Sequence, residues 1–356
     1  MSDAHDSSDS PIQWRAPTAV RTVAFVLCAA ACSWYLLQEL AALLRPLLIA
    51  VLLAYVVAPY HARLRSLMGT AASLGVIASA ASGGLLALGL VSYASVLELR
   101  DEIPELQARA GDLAERAELA LKELAPWLLP PQTGDKPLAR VSERAGAFVV
   151  AVLSRTANAA LEAGVVALYL MFLLVEGVRF PSRVRGAYQP ERAEHILNVA
   201  EQVNSAVVNY LKAKVRSSLF LAVPVSAVLA VLGVKFALLW GLLTFLCNFI
   251  PYLGSVVAYV LPVGFAFLWF GPVWQAFAVA GALLALHALS AALVEPLLLG
   301  KAVGISPLVI LVSLALWGLL WGVPGMFLAV PLTVVAIIVM DQFESSRSVA
   351  RLLKGG

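Results

Sequence analysis

Glu295 closes an apolar run, Phe236 to Val294, that holds no Asp, Glu, Lys or Arg, and Pro296 follows it directly. A charged side chain at bilayer depth costs about 2.5 to 3.5 kcal/mol on insertion scales, so it is a functional candidate by default. Two readings stand for it. As a functional group it takes up a proton or a cation, or orients a polar solute. As a helix end at the membrane interface it pairs with Lys301, six residues on. His287 lies eight residues before Glu295, two turns away on one helix. An imidazole there could relay protons to the carboxylate, or make a helix-to-helix hydrogen bond. Arg155, Asn158 and Glu162 are spaced three and four apart, which puts them on one helix face. With Arg155 at the interface, Asn158 and Glu162 serve either a pathway or packing. Asn248, just before Pro251, could donate to a ligand or to backbone freed by a helix break.

No enzyme chemistry competes with these groups. The four histidines, at 5, 61, 195 and 287, lack metal-ligand spacing. No Gly-x-Ser-x-Gly elbow, phosphate-binding loop or dinucleotide fingerprint occurs. The expectation is therefore no enzyme, no metal and no cofactor, and transport that is secondary or passive. Cys28 and Cys32 share a helix face, and with Cys247 they lie in apolar segments; small packing residues are the simplest reading, with a disulfide or metal role as the other. A net charge of +3 without a basic, aromatic-interleaved stripe excludes nucleic acid as a partner.

The elements that carry these residues belong in a membrane. The chain of 356 residues is 61% hydrophobic and 13% charged, where soluble domains carry roughly 25% charge. Further charge-free runs cover Ala302–Met340 and Ser66–Leu97. A spanning helix needs about 20 apolar residues. The fold expected is all-α: a polytopic transmembrane bundle with Pro/Gly-interrupted or re-entrant helices and an amphipathic charged insertion. Its organisation is a disordered cytoplasmic tail (1–20), three membrane segments (21–97), the charged insertion (98–146), a C-terminal membrane domain (147–346) with a polar cytoplasmic region at 176–216, and a basic tail (347–356).

Prolines and glycines punctuate the C-terminal half. Pro251 splits Phe236–Ile250 from Tyr252–Phe270, and Pro324 splits Ala302–Val323 from Gly325–Met340. Each pair is a re-entrant hairpin or two tilted spans. The break candidates are Pro251, Gly254, Pro262, Pro296, Pro307, Gly322, Pro324, Gly325 and Pro331. Irregular backbone at membrane depth must be buried in protein or line a cavity. Transporters place substrate and ion sites at such breaks, where helix-end dipoles and freed backbone groups bind ligands. Two patterns point to packing. Ala71, Gly75, Ser79, Gly83 and Ala87 form a small-residue ladder suited to close helix approach. Leu99, Ile103, Leu106, Ala110, Leu113 and Ala117 form a heptad-like stripe, continued by Leu121 and Leu124, for contact between subunits, on the membrane surface or within the protomer.

Three strings resemble one family, the autoinducer-2 exporter family of bacterial permeases. They are Asn248-Phe-Ile-Pro-Tyr-Leu-Gly254 running on to Pro262, Glu295-Pro-Leu-Leu-Leu-Gly-Lys301 followed by Val303-Gly-Ile-Ser-Pro307, and Gly318-Leu-Leu-Trp-Gly-Val-Pro-Gly325 followed by Leu328-Ala-Val-Pro331. Ser255 stands where that family usually has proline, and Pro296 after Glu295 is a second departure. The resemblance implies a helical permease of the bacterial inner membrane, homo-oligomeric, with both termini cytoplasmic. Its partners would be membrane lipid and a small-molecule or ion substrate. It further implies an exporter of a small polar solute such as autoinducer-2, in quorum sensing, or alternatively a sodium–proton antiporter. A membrane scaffold or regulator that transports nothing is the reading from another class.

Orientation follows from charge. Residues 98–146 carry seven Lys/Arg and ten Asp/Glu, and residues 176–216 carry seven and four. Positive loops stay in the cytoplasm, which puts 98–146 outside and 176–216 inside. In a Cys-free background, Gln132→Cys is expected to react with an impermeant thiol reagent on intact cells and Gln189→Cys only after permeabilisation. Equal labelling of both on intact cells overturns this topology.

Overall fold

The computed structural model describes residues 18–84, 86, 89–90, 137–271, 273–299 and 304–355, with scattered positions between 102 and 119. Over 18–21 and 137–161 it describes backbone only. Every regular element among these residues is helical, and one isolated bridge, Ile305 to Lys354, is the exception. Among the described residues seven helices are long and apolar enough to cross a membrane.

Residues up to Leu44 form one unit and Arg45–Gly356 another. In the first, α1 (Thr18–Glu39) buries none of its apolar residues; Val23, Phe25 and Leu27 all stand exposed. Its length and apolar composition suit a membrane span. The second unit starts inside α2 (Ala41–Met68) and continues through α3 (70–84), α4 (Pro137–Ala187) and α5 (Pro190–Val231). Ala50, Ile77, Leu170 and Leu174 pack α2, α3 and α4 together. His61 Nδ1 lies 2.8 Å from Ser73 Oγ, tying α2 to α3. The face that α3 buries runs through Ser73 and Ile77, so the small-residue ladder misses it. Gly75 and Gly83 meet no atom within 4 Å of where a Cβ would stand.

The polar stretch at 176–216 is helix on both sides of a sharp corner. α5 has 42 residues, or about 63 Å at 1.5 Å per residue, twice the hydrocarbon thickness. Pro190 supplies its first turn, where a missing N–H costs nothing. Arg185 Nε bonds Glu194 Oε1 across the corner at 3.0 Å.

Two hairpins follow. The first pairs α6 (Ala237–Cys247) with α7 (Leu253–Phe270); the second pairs α10 (Pro307–Trp321) with α11 (Val323–Asp341). Between them runs α8 (Trp274–Leu289), a π-turn (Ser290–Val294) and α9 (Glu295–Leu299). The last helix, α12 (Glu344–Leu353), folds back against α11. Leu221, Val225, Leu229, Phe265, Ala266, Val279 and Leu283 form the core shared by α5, α7 and α8.

The hairpins open at opposite ends of α8–α9. At the base of the first, the Arg109 guanidinium and the Lys235 ammonium each lie 4.4 Å from the Trp269 ring, and Lys235 pairs with Glu102. At the base of the second, Ser306 N–H donates to Leu353 O at 3.1 Å, and Gly355 N–H to Gly304 O at 3.0 Å. The tips meet. Phe249 stacks on Phe327 with centroids 4.8 Å apart.

Each tip turns on a residue that cannot carry a side chain. A Cβ on Gly254 would stand 1.7 Å from Cys247 O, and one on Gly325 2.0 Å from Trp317 O. The break positions therefore divide. Pro251 lies in the first turn, Gly322 (φ +68) makes the second, and Pro307 and Pro324 open α10 and α11. Pro262 and Pro331 break nothing. They sit fully buried inside α7 and α11, which continue through them. Gly254→Ala and Gly325→Ala are each expected to cost about 1 to 3 kcal/mol, the usual penalty for overpacking. Lower melting temperatures in detergent would show it, and wild-type values for both would refute the close approach.

Candidate functional site

One face of α5 is polar where its surroundings are apolar. Tyr210, Lys214 and Ser217 recur at intervals of four and three, so they stack on one side of the helix. All three are buried, as is Ser218. Lys214 is 3% exposed, although it sits in a helix that runs through the membrane domain. An ammonium out of reach of water needs an opposite charge.

That charge is Glu295. Pro296 lacks an N–H, and its ring would strike the carbonyl four residues back in a regular α-helix. The chain absorbs this by widening into the π-turn, in which Glu295 N–H donates to Ser290 O, five residues back. The additional residue turns Glu295 away from the register of α8 and toward α5. Its Oε1 lies 3.6 Å from Lys214 Nζ. This is ion-pair distance and beyond a direct hydrogen bond. The two partners differ in access: the Lys214 side chain is 4% exposed and that of Glu295 is 36% exposed.

Four further polar atoms lie along the same two stretches without a protein partner among the described residues: Tyr210 Oη, Ser217 Oγ, Ser290 Oγ and His287 Nε2. A buried polar group left unpaired costs about 1 to 3 kcal/mol. Their accumulation beside an ion pair gives the site capacity for a polar occupant. Asn248 closes it from the side of the first hairpin. It caps α6, is 2% exposed, and donates from Nδ2 to Ser218 Oγ at 3.0 Å, one turn along α5 from Lys214.

The structure thus brings Glu295, His287 and Asn248 to one region of α5. His287 stands edge-on to Tyr259 with ring centroids 6.0 Å apart, and the π-turn lies between it and Glu295. Glu162 is exposed on α4. The side chains of Arg155 and Asn158, Lys301, and the heptad stripe from Leu99 to Leu124 lie outside the described residues. Lys214, Tyr210, Ser217 and Ser290 are additional to the sequence reading. The signal for Lys214 was the Tyr-x3-Lys-x2-Ser spacing, masked by its place in a run of charges that reads as a loop. Among the described residues no three His, Cys, Asp or Glu side chains gather to hold a metal, and Cys28, Cys32 and Cys247 are free thiols.

Paired hairpins beside an ion pair between helices are features that transporter folds share. The chain belongs to the AI-2E transporter family: residues 23–345 match the family described as AI-2E family transporter. It is 33% identical over 204 residues to the AI-2 transport protein TqsA of Escherichia coli strain K12, which covers 57% of this chain and 58% of TqsA. YhhT of the same strain is 32% identical over 237 residues, 66% of this chain and 67% of YhhT. A Haemophilus influenzae relative is 35% identical over 153 residues, 43% of this chain and 44% of the relative. The matched stretch thus spans little more than half of TqsA.

The unequal burial of the pair sets an expectation for stability. Removing the carboxylate strands a buried ammonium, at a cost on the order of 3 kcal/mol. Glu295→Gln should therefore lower the melting temperature in detergent, and Lys214→Met added to it should restore most of the loss. Simple addition of the two losses would show that the charges are not coupled.

Proposed function

We propose that this protein exports a small polar solute of the autoinducer-2 kind across the bacterial inner membrane, by secondary or passive transport rather than by catalysis. The observation that carries this reading is the pair of buried Lys214 with half-buried Glu295, open by 3.6 Å, with four unpaired polar atoms along the same two stretches of helix. A hydroxylated solute matches such a site. One hydroxyl can donate to the carboxylate while its oxygen accepts from the ammonium, bridging a gap that the two side chains do not close themselves. Serine, tyrosine and histidine then answer further hydroxyls. The name of TqsA supports a solute of this class. The topology proposed with it keeps both termini cytoplasmic, and the assembly proposed is a homo-oligomer.

Flux of labelled autoinducer-2 into proteoliposomes, with and without a proton gradient, tests the proposal. Wild-type protein is expected to raise the flux above protein-free vesicles. Glu295→Gln and Lys214→Met should each reduce it about tenfold, which corresponds to about 1.4 kcal/mol of lost stabilisation. Unchanged flux in the stable double variant Lys214→Met/Glu295→Gln would remove the pair from the pathway. Sodium-dependent collapse of a proton gradient without solute movement would favour an ion antiporter instead.

A further inference from the structure

A second cleft lies away from the ion pair, between α2, α4 and α5. Its volume is about 640 Å³, within the range of roughly 300 to 1,000 Å³ of small-molecule sites. It has two chemically distinct parts. Val51, Ala54, Leu173 and Leu174 make its wall aliphatic. At the other end, about two to four turns further along α2, His61 and Arg65 line the cleft together with Glu176 and Glu201. This end belongs to the polar stretch of α4 and α5 that reaches beyond the hydrocarbon core.

The charges at this end are incompletely matched. Glu176 pairs with Arg183. Arg65 has no ion pair among the described residues, and Glu201 has only the Asn204 amide, at 3.5 Å. His61 is 2% exposed; its Nδ1 is held by Ser73, and its Nε2 has no partner among the described residues. Among the described residues the cleft therefore presents a cation and a carboxylate without ion-pair partners, and one unpaired buried imidazole nitrogen, beside an apolar wall.

We infer that this cleft binds a phospholipid with a zwitterionic, primary-amine headgroup, of the phosphatidylethanolamine type. The acyl chain lies along Val51, Ala54 and Leu173. The phosphate meets Arg65, and the ammonium meets Glu201. A purely anionic headgroup would leave Glu201 unanswered and place negative charge beside two carboxylates. A quaternary headgroup cannot donate hydrogen bonds to them. Only a headgroup that carries both charges and N–H donors satisfies both free groups at once.

The test uses the full chain, purified in detergent and exposed to an equimolar mixture of phosphatidylethanolamine, phosphatidylglycerol and phosphatidylcholine with identical acyl chains. Native mass spectrometry reads the lipid retained. Wild-type protein should keep phosphatidylethanolamine about fivefold over either competitor, the scale of one partly exposed ion pair. Glu201→Gln should retain lipid but bring the ethanolamine-to-glycerol ratio near one, and Arg65→Ala should lower retention of all three. Both side chains are exposed, so the fold should survive, and if Arg65→Ala misfolds the Glu201→Gln ratio decides alone. Equal retention of the three lipids by wild type, or an unmoved ratio in Glu201→Gln, overturns the inference. So does a covalent dimer formed through Ala58→Cys in a Cys-free background, which would place a second copy of the chain in the cleft.

Discussion

A lysine that no solvent reaches must be answered by a negative charge or give up its proton, and this constraint organises the C-terminal half of the chain. Lys214 faces Glu295 because α5 packs along α8, the π-turn and α9. Each feature of that packing has a local cause. Pro296 forbids a regular turn, the π-turn accommodates it, and the shift in register brings the carboxylate round to α5. Without the additional residue, Glu295 would keep the register of α8. Without α5, its charge would have no counter-ion among the described residues. A backbone irregularity that looks like a defect in one helix is what joins two helices electrostatically.

The hairpins depend on the same constraint applied to the backbone. Turns at membrane depth expose N–H and C=O groups that lipid cannot satisfy. Both tips are compact. Gly254 and Gly325 let each arm approach the carbonyls of its partner, and Phe249 stacks on Phe327 where the tips meet. Asn248 links the first tip to Ser218, on the same α5 face as Lys214. The tips and the ion pair are consequently one neighbourhood. A movement of either hairpin along α5 would be felt at the pair, and an occupant of the pair would be felt at the tips.

The class of fold was readable because hydrophobicity is a bulk property. The charge-free runs Phe236–Val294 and Ala302–Met340 leave no alternative to membrane helices, and Pro251 and Pro324 fall at the observed turns. Glu295 was readable for the same reason, as the one carboxylate at the edge of the longest run. What failed to show were relations between segments. Lys214 carries its meaning only opposite Glu295, and the two are far apart in the chain, with both hairpin arms of α6 and α7 between them. In one dimension it is simply a member of a basic stretch, and basic stretches read as cytoplasmic loops. Pro262 and Pro331 were misleading in the converse way. A proline looks like a break wherever it falls, yet α7 and α11 both continue through prolines that are themselves fully buried.

The balance of charge at the site bears on what it can carry. A carboxylate alone at membrane depth would select cations, and an ammonium alone would select anions. Paired at 3.6 Å they offer almost no net charge but a strong local dipole. A monovalent ion gains little there, because it must displace one partner from the other and leave Lys214 buried and unanswered. A neutral solute with several hydroxyls leaves both charges in place, adds donors to one and acceptors to the other, and engages the unpaired hydroxyls of Tyr210, Ser217 and Ser290. On the proposed reading, a pair of this geometry suits a neutral polar solute better than a monovalent ion.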